Sequence, residues 1–212
     1  MNLKVLLAVD GSDYSEAAVG LARALRIGKK AEATILTVIP GHVFLGGHTL
    51  ANLLGRSGVL KLQMQKAEEA KASELLARLS KSLAAPGMKV ETMIRRGSPA
   101  DEIIKTCRSI PADLVLVGFK GASDSTEFLL GSVAHKVIKY APCSVLVAKR
   151  RTEAVSRVLV PLDGSKHSDE TVQFLLRMPL PPRAEVLVMV VLQSFAATFV
   201  KAYTLDLERD RE

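Results

Sequence analysis

Short apolar runs alternate with amphipathic stretches along the first two thirds of the chain. "LKVLLAV", "ATILTVI", "KVETMI", "ADLVLVG" and "CSVLVA" are each brief and rich in Val, Ile or Leu, and most are apolar on both faces. Strands buried on both sides of a parallel sheet have this pattern, whereas half-solvated strands alternate strictly. Between the first two runs, Tyr14, Ala17, Ala18, Leu21 and Leu25 recur at helical spacing; between the second and third, Ala72, Leu75, Leu76, Leu79 and Leu83 do so,. Further helices are expected from "SPADEI" and over "SVAHKVIKY". The order β-α-β-α predicts right-handed crossovers over a parallel sheet.

Local start signals agree with these elements. Ser12 or Asp13 is placed to cap the first helix, with Glu16 at capping-box spacing from Asp13,. Ser98 followed by Pro99 reads as a cap with a first-turn proline,. The segment "GHVFLGGHTLANLLGRSG", Gly41 to Gly58, breaks the rhythm and is expected to be a loop with one short helical turn.

The chain also repeats itself. "KVLLAVDGSDYSEAAVGLARAL", Lys4 to Leu25, aligns without gaps on "RVLVPLDGSKHSDETVQFLLRM", Arg157 to Met178, and brings Asp10-Gly11-Ser12 onto Asp163-Gly164-Ser165,. A complete unit over 1–150 and a partial second copy over 156–212 are expected, the latter as strand, helix, strand and a charged C-terminal helix. "PLPPR" should separate the second helix from its following strand,.

The remaining chemistry concentrates in "VGFKGASDSTEFLLGSV", Val117 to Val133. Its glycines follow the spacing G-x2-G-x9-G-S, with Gly118, Gly121, Gly131 and Ser132. The stretch leaves a buried strand and enters a helix, the place where open parallel sheets bind ligands. Glycines let backbone amides approach an anion, and a helix entry meets it with the positive end of the dipole. A flexible connector with a Gly-Ser cap explains the spacing equally well. Asp10 tips the balance, because it ends the first strand on the same sheet edge, where a carboxylate beside phosphates serves a bridging cation or a ribose hydroxyl. Its ordinary alternative is a turn residue.

Together these motifs resemble the universal stress protein family, of the nucleotide-binding kind. The resemblance rests on "VLLAVDGSDYSEAAV", on "GFKGASDSTEFLLGS" and on the ending "APCSVLVAK". It implies an α/β fold, a Rossmann-like five-stranded parallel sheet of the adenine nucleotide alpha hydrolase-like type, that binds ATP, ADP or AMP, often with Mg or Mn, and commonly dimerises. By matching positions, Asp10 would face the ribose or the metal, with Val9, Gly11 and Ser12 beside it. Val38 and Val117 would flank adenine, Ala8 would line the pocket floor, and Gly118, Gly121, Gly131, Ser132 and Val133 would hold the phosphates. The implied role is a regulatory ATP-binding module in stress response with at most slow hydrolysis. The alternatives are a nucleotide-independent dimeric stress or interaction protein and an adenylate-handling enzyme of a related α/β family, for which "DGSDYS" is a poor phosphate loop.

Composition narrows this picture without redirecting it. The 212 residues are 48% hydrophobic and 24% charged, a globular balance, and the absence of Trp points to an aliphatic core,. The net charge of +7 is spread over short clusters such as "RIGKK" and "AKRR" without interleaved aromatics, which favours solvated surface over nucleic-acid binding,. No P-loop, dinucleotide G-x-G-x-x-G or G-x-S-x-G elbow occurs, and His42, His48, His135 and His167 lack zinc spacing,. Cys107 and Cys143 make no metal-ligand pair or redox dipeptide; both read as buried small hydrophobes in a reducing cytoplasm,. Neither "LKVLLAV" nor "VLVMVVL" has the length of a membrane span, and the first lacks a signal-peptide cleavage site,.

Overall fold

In the computed structural model of the chain, residues 3–27, 31–41, 44–45, 48–49, 58–122 and 129–191 are described. Five apolar runs become the strands of one parallel sheet: β1 (Leu3–Ala8), β2 (Ala31–Pro40), β5 (Lys89–Gly97), β6 (Leu114–Gly118) and β7 (Ser144–Ala148). Their order across the sheet is β5-β2-β1-β6-β7. The central strand β1 pairs with β2 from Leu3 opposite Ala31 and with β6 from Val5 opposite Leu114. The Val9 amide donates to the Leu36 carbonyl at 2.9 Å and carries the ladder one residue past β1.

The continuous apolar pattern of the middle strands has the expected cause. Val5, Leu6, Leu7, Val115 and Leu116 are all fully buried, because helices cover both faces of the sheet,. β5 lies at an edge and keeps polar residues in an exposed pattern. Leu116→Ala, in the strand between β1 and β7, should cost about 3 kcal/mol from lost transfer energy and the cavity left behind. Urea unfolding should show a lower midpoint with an unchanged slope.

The helices of this unit are α1 (Asp13–Ala24), α2 (Gly58–Leu83), α3 (Pro99–Ser109) and α4 (Ser132–Tyr140). The buried side of α2 carries Ala72, Leu76, Leu79 and Leu83, four of the five positions expected from periodicity. Ser12 caps α1, its hydroxyl accepting from the Ser15 amide at 3.2 Å. The capping box from Asp13 is not formed: Asp13 is already inside the helix, and Glu16 instead meets Arg78 of α2 and Arg151, at 2.8 and 3.0 Å. At α3, Ser98 occupies the cap position without a side-chain cap bond, and its hydroxyl serves the Asp101 carboxylate.

The glycine-rich segment after β2 differs from expectation. Two short strands, β3 (Phe44–Leu45) and β4 (His48–Thr49), pair antiparallel. The intervening Gly46-Gly47 is a dipeptide of hairpin composition, a signal outweighed in the sequence by the surrounding glycines. The expected helical turn lies outside the described residues.

A second compact unit takes 157–177 and, among the described residues that follow, 184–191. β8 (Arg157–Leu162) and β9 (Glu185–Val190) pair in parallel, with α5 (Lys166–Arg177) between them in sequence. Leu187, Val188 and Val190 of β9 are more than half exposed. The expected charged C-terminal helix lies outside the described residues. Among the described residues no helix is long and apolar enough to cross a membrane.

Candidate nucleotide site

The first crossover from β1 leads through α1 to β2 on one side, while β6 and β7 extend the sheet on the other. β1 and β6 therefore flank the point where strand order reverses, which opens a crevice at their carboxyl ends. Residues 9–12 follow β1, and Gly118 ends β6. The topology alone brings the Asp-Gly-Ser turn and the glycine loop to one place.

Asp10 joins them. Its Oδ1 accepts from the Ser12 amide at 3.0 Å and the Ser12 hydroxyl at 2.6 Å, and its Oδ2 accepts from the Ala122 amide at 2.8 Å. The carboxylate is thus a bracket between the turn after β1 and the loop after β6. Gly11 bends the turn with φ +81°, a left-handed conformation natural to glycine,.

The repeat reproduces this turn. Gly164 has φ +77°, and Asp163 Oδ1 accepts from the Ser165 amide at 2.9 Å. It also accepts from the Ser168 hydroxyl at 2.5 Å; bonds from Ser168 and Ser165 hold this carboxyl well below the usual carboxylate range. At Asp10 the corresponding serine does something else: the Ser15 hydroxyl donates to the Ser12 carbonyl at 2.9 Å. The second oxygen of Asp10 faces the glycine loop, for which the second copy has no sequence counterpart.

The glycine loop is closed at its neck. The Phe119 amide donates to the Ala148 carbonyl and the Gly131 amide to the Phe119 carbonyl, both at 2.9 Å. Phe119 lies against Tyr14 of α1, with ring centroids 6.2 Å apart, and under the ammonium of Lys149 at 5.2 Å. Residues 123–128, including Ser123, Ser125 and Thr126, lie outside the described residues.

Each glycine of the motif has its own geometry. A Cβ on Gly118 would stand 2.8 Å from the Tyr14 carbonyl carbon and 3.0 Å from the Ser15 amide nitrogen, closer than real side chains come. A Cβ on Gly121 would lie 3.1 Å from Asp10 Oδ2. Gly131 is the N-cap of α4 at φ −62°, an ordinary extended conformation, and offers no side chain to the first-turn amides. Ser132, offered by the sequence as a possible cap, is instead the exposed first residue of that helix.

The apolar members also converge. Ala8 and Val117 belong to one buried cluster, and Val38 and Val133 pack against it. Val9 is 4% exposed, so its contribution is the backbone ladder rather than a side chain turned to the crevice. Sequence reading passed over Tyr14, whose backbone occupies the space beside Gly118, and Lys120, which is buried within the loop. A lysine between two motif glycines was the available signal for the latter. Among the described residues, no group of three or more His, Cys, Asp or Glu is arranged to hold a metal ion.

The family model described as the universal stress protein family matches residues 1–149. The universal stress protein YxiE of Bacillus subtilis is 32% identical over 156 residues, which cover 69% of this chain and 98% of that protein. The solved structure of protein MJ0577 from Methanocaldococcus jannaschii aligns over 72% of this chain and 99% of its own, with TM-score 0.58 and 27% identity. A universal stress protein structure from Archaeoglobus fulgidus is similar over 97% of this chain and 74% of that one, with TM-score 0.63 and 24% identity, a likeness of fold.

Proposed function

The chain belongs to the universal stress protein family, and on that premise we propose that it is a regulatory ATP-binding module whose occupancy orders the glycine loop. The observation that carries this reading is the Asp10–Ala122 bond, which ties the two phosphate-side segments together at the reversal point of the sheet. Amides of the loop and of the α4 entry, left without a side-chain cap, would meet the phosphates,. Ala8, Val38 and Val117 would flank the adenine, and Ser132 would add a hydroxyl. ADP and AMP share every group these contacts use except the terminal phosphates.

A divalent ion fits only in a restricted sense. Asp10 is a single carboxylate whose two oxygens already accept protein donors, so Mg or Mn would be carried mainly by the nucleotide's own phosphates,. The same reading carries at most slow turnover. Homodimerisation belongs to the same reading: β7 is an edge strand with half-buried Val145, Leu146 and Val147,. So does the assignment of 156–212 as a partial second domain, supported by the repeated Asp-Gly-Ser turn.

Calorimetric titration with ATP, ADP and AMP, with and without Mg, tests the proposal beside Gly121→Val. The wild type should bind, and the variant should bind at least about tenfold more weakly, because the added side chain presses on Asp10 Oδ2,. Absence of binding in the wild type, or equal binding in the variant, refutes it.

A further inference from the structure

The two cysteines, distant in sequence, are brought together by the turn between α3 and β6. The Ala112 amide donates to the Cys107 carbonyl at 3.0 Å, folding the end of α3 back against the start of β6. β6 pairs with β7 from Leu114 opposite Ser144, which sets Cys143 beside the residue that follows Ala112. Cys107, at 1% exposed, and half-buried Cys143 then pack in the same apolar cluster, and their side chains hydrogen-bond to each other.

From this geometry we infer that Cys107 and Cys143 form a reversible intramolecular disulfide site, oxidised by a peroxide and reduced by a dithiol. The proposal stands independently of nucleotide binding.

The pair is asymmetric in a way that suits this chemistry. Its hydrogen bond to Cys143 and its burial push the Cys107 thiol up, while the same hydrogen bond pulls Cys143 down. Cys143 is therefore the more readily ionised and the more accessible sulfur, and Cys107 is the proton-bearing partner,. The Cys143 thiolate attacks one peroxide oxygen; an S–O bond forms as the O–O bond breaks, and hydroxide leaves with a proton to become water. Cys107 then attacks the sulfenic sulfur, forming S–S and releasing the second oxygen as water together with the Cys107 proton. Two thiols lose two electrons, and the peroxide takes them. A dithiol reverses the step through a mixed disulfide.

The bond would close a ring that contains β6, the whole glycine loop and α4, and would join the end of α3 to the start of the β7 edge. Because crosslinks restrict the unfolded chain, the oxidised protein should melt about 5–15 °C higher than the reduced one.

The test treats the reduced full-length chain with hydrogen peroxide near equimolar ratio. Both thiols should disappear from a thiol count in denaturant. Trypsin should release Thr106–Arg108 linked to Tyr140–Lys149, with the chain monomeric on a non-reducing gel. Dithiothreitol should restore both thiols and the lower melting temperature. With Cys107→Ala, peroxide should leave a Cys143 sulfenic acid that dimedone traps, with no rise in melting temperature. Wild-type thiols that survive peroxide, disulfides between chains, or over-oxidation of Cys143 with Cys107 still free would each overturn the proposal; none of these wild-type results depends on the variant folding.

Discussion

Gly118→Ala is expected to destabilise the first unit by about 2–3 kcal/mol, the upper part of the range for overpacking. The added Cβ would meet the Tyr14 carbonyl carbon at 2.8 Å, the Tyr14 Cβ at 2.9 Å and the Ser15 amide nitrogen at 3.0 Å. Two of these are backbone atoms, which have no rotamer to retreat into. Relief requires α1 to lift from the end of β6, and α1 is the helix whose first turn holds Ser12 and the Asp10 bracket. Gly20→Ala is the matched control. It sits inside α1, and its added Cβ would have only the Thr152 carbonyl oxygen at 3.7 Å, an ordinary contact. That variant should be neutral or stabilised by up to about 1 kcal/mol through helix propensity. Equal stabilities for the two variants, measured by urea unfolding, would remove the close-packing account of Gly118.

This contrast also marks where sequence reasoning stopped. The middle strands β2, β1 and β6 were legible because burial on both faces erases polar alternation, whereas the edge strands β5 and β7 were legible as brief runs carrying Val with Ile or Leu. α4 was legible over Ser132–Tyr140 because a glycine, a serine and an apolar period coincide there. The motif spacing found Gly118, yet its packing reason is tertiary: the atoms crowding it come from Tyr14 and Ser15, over a hundred residues earlier. The Asp10–Ala122 bond and the Cys107–Cys143 contact are hidden for the same cause, since strand order rather than spacing creates them. Sequence placed Asp10 and the loop on one edge; it gave no sign that the carboxylate binds the loop's own backbone.

That bond leads to a variant that separates two uses of one carboxylate. Asp10→Ala removes the acceptor for the Ser12 amide, the Ser12 hydroxyl and the Ala122 amide together. Because Asp10 is exposed, water replaces part of what is lost, and stability should fall by only about 1 kcal/mol. Nucleotide affinity should fall much further, by about tenfold to a hundredfold, since the start of the loop is no longer held against the turn after β1 and must be ordered by the ligand itself. Asp10→Asn, which keeps one carbonyl acceptor, should lie between wild type and alanine. The decisive comparison is with and without Mg. If Asp10 acts chiefly as a bracket, the alanine variant loses the same factor in EDTA as in Mg. If it acts chiefly as a metal ligand, the loss appears only when Mg is present. The bonds to both carboxylate oxygens favour the first outcome: the fold already uses Asp10 to hold the loop, and a nucleotide bound there would meet a carboxylate whose orientation the protein has fixed.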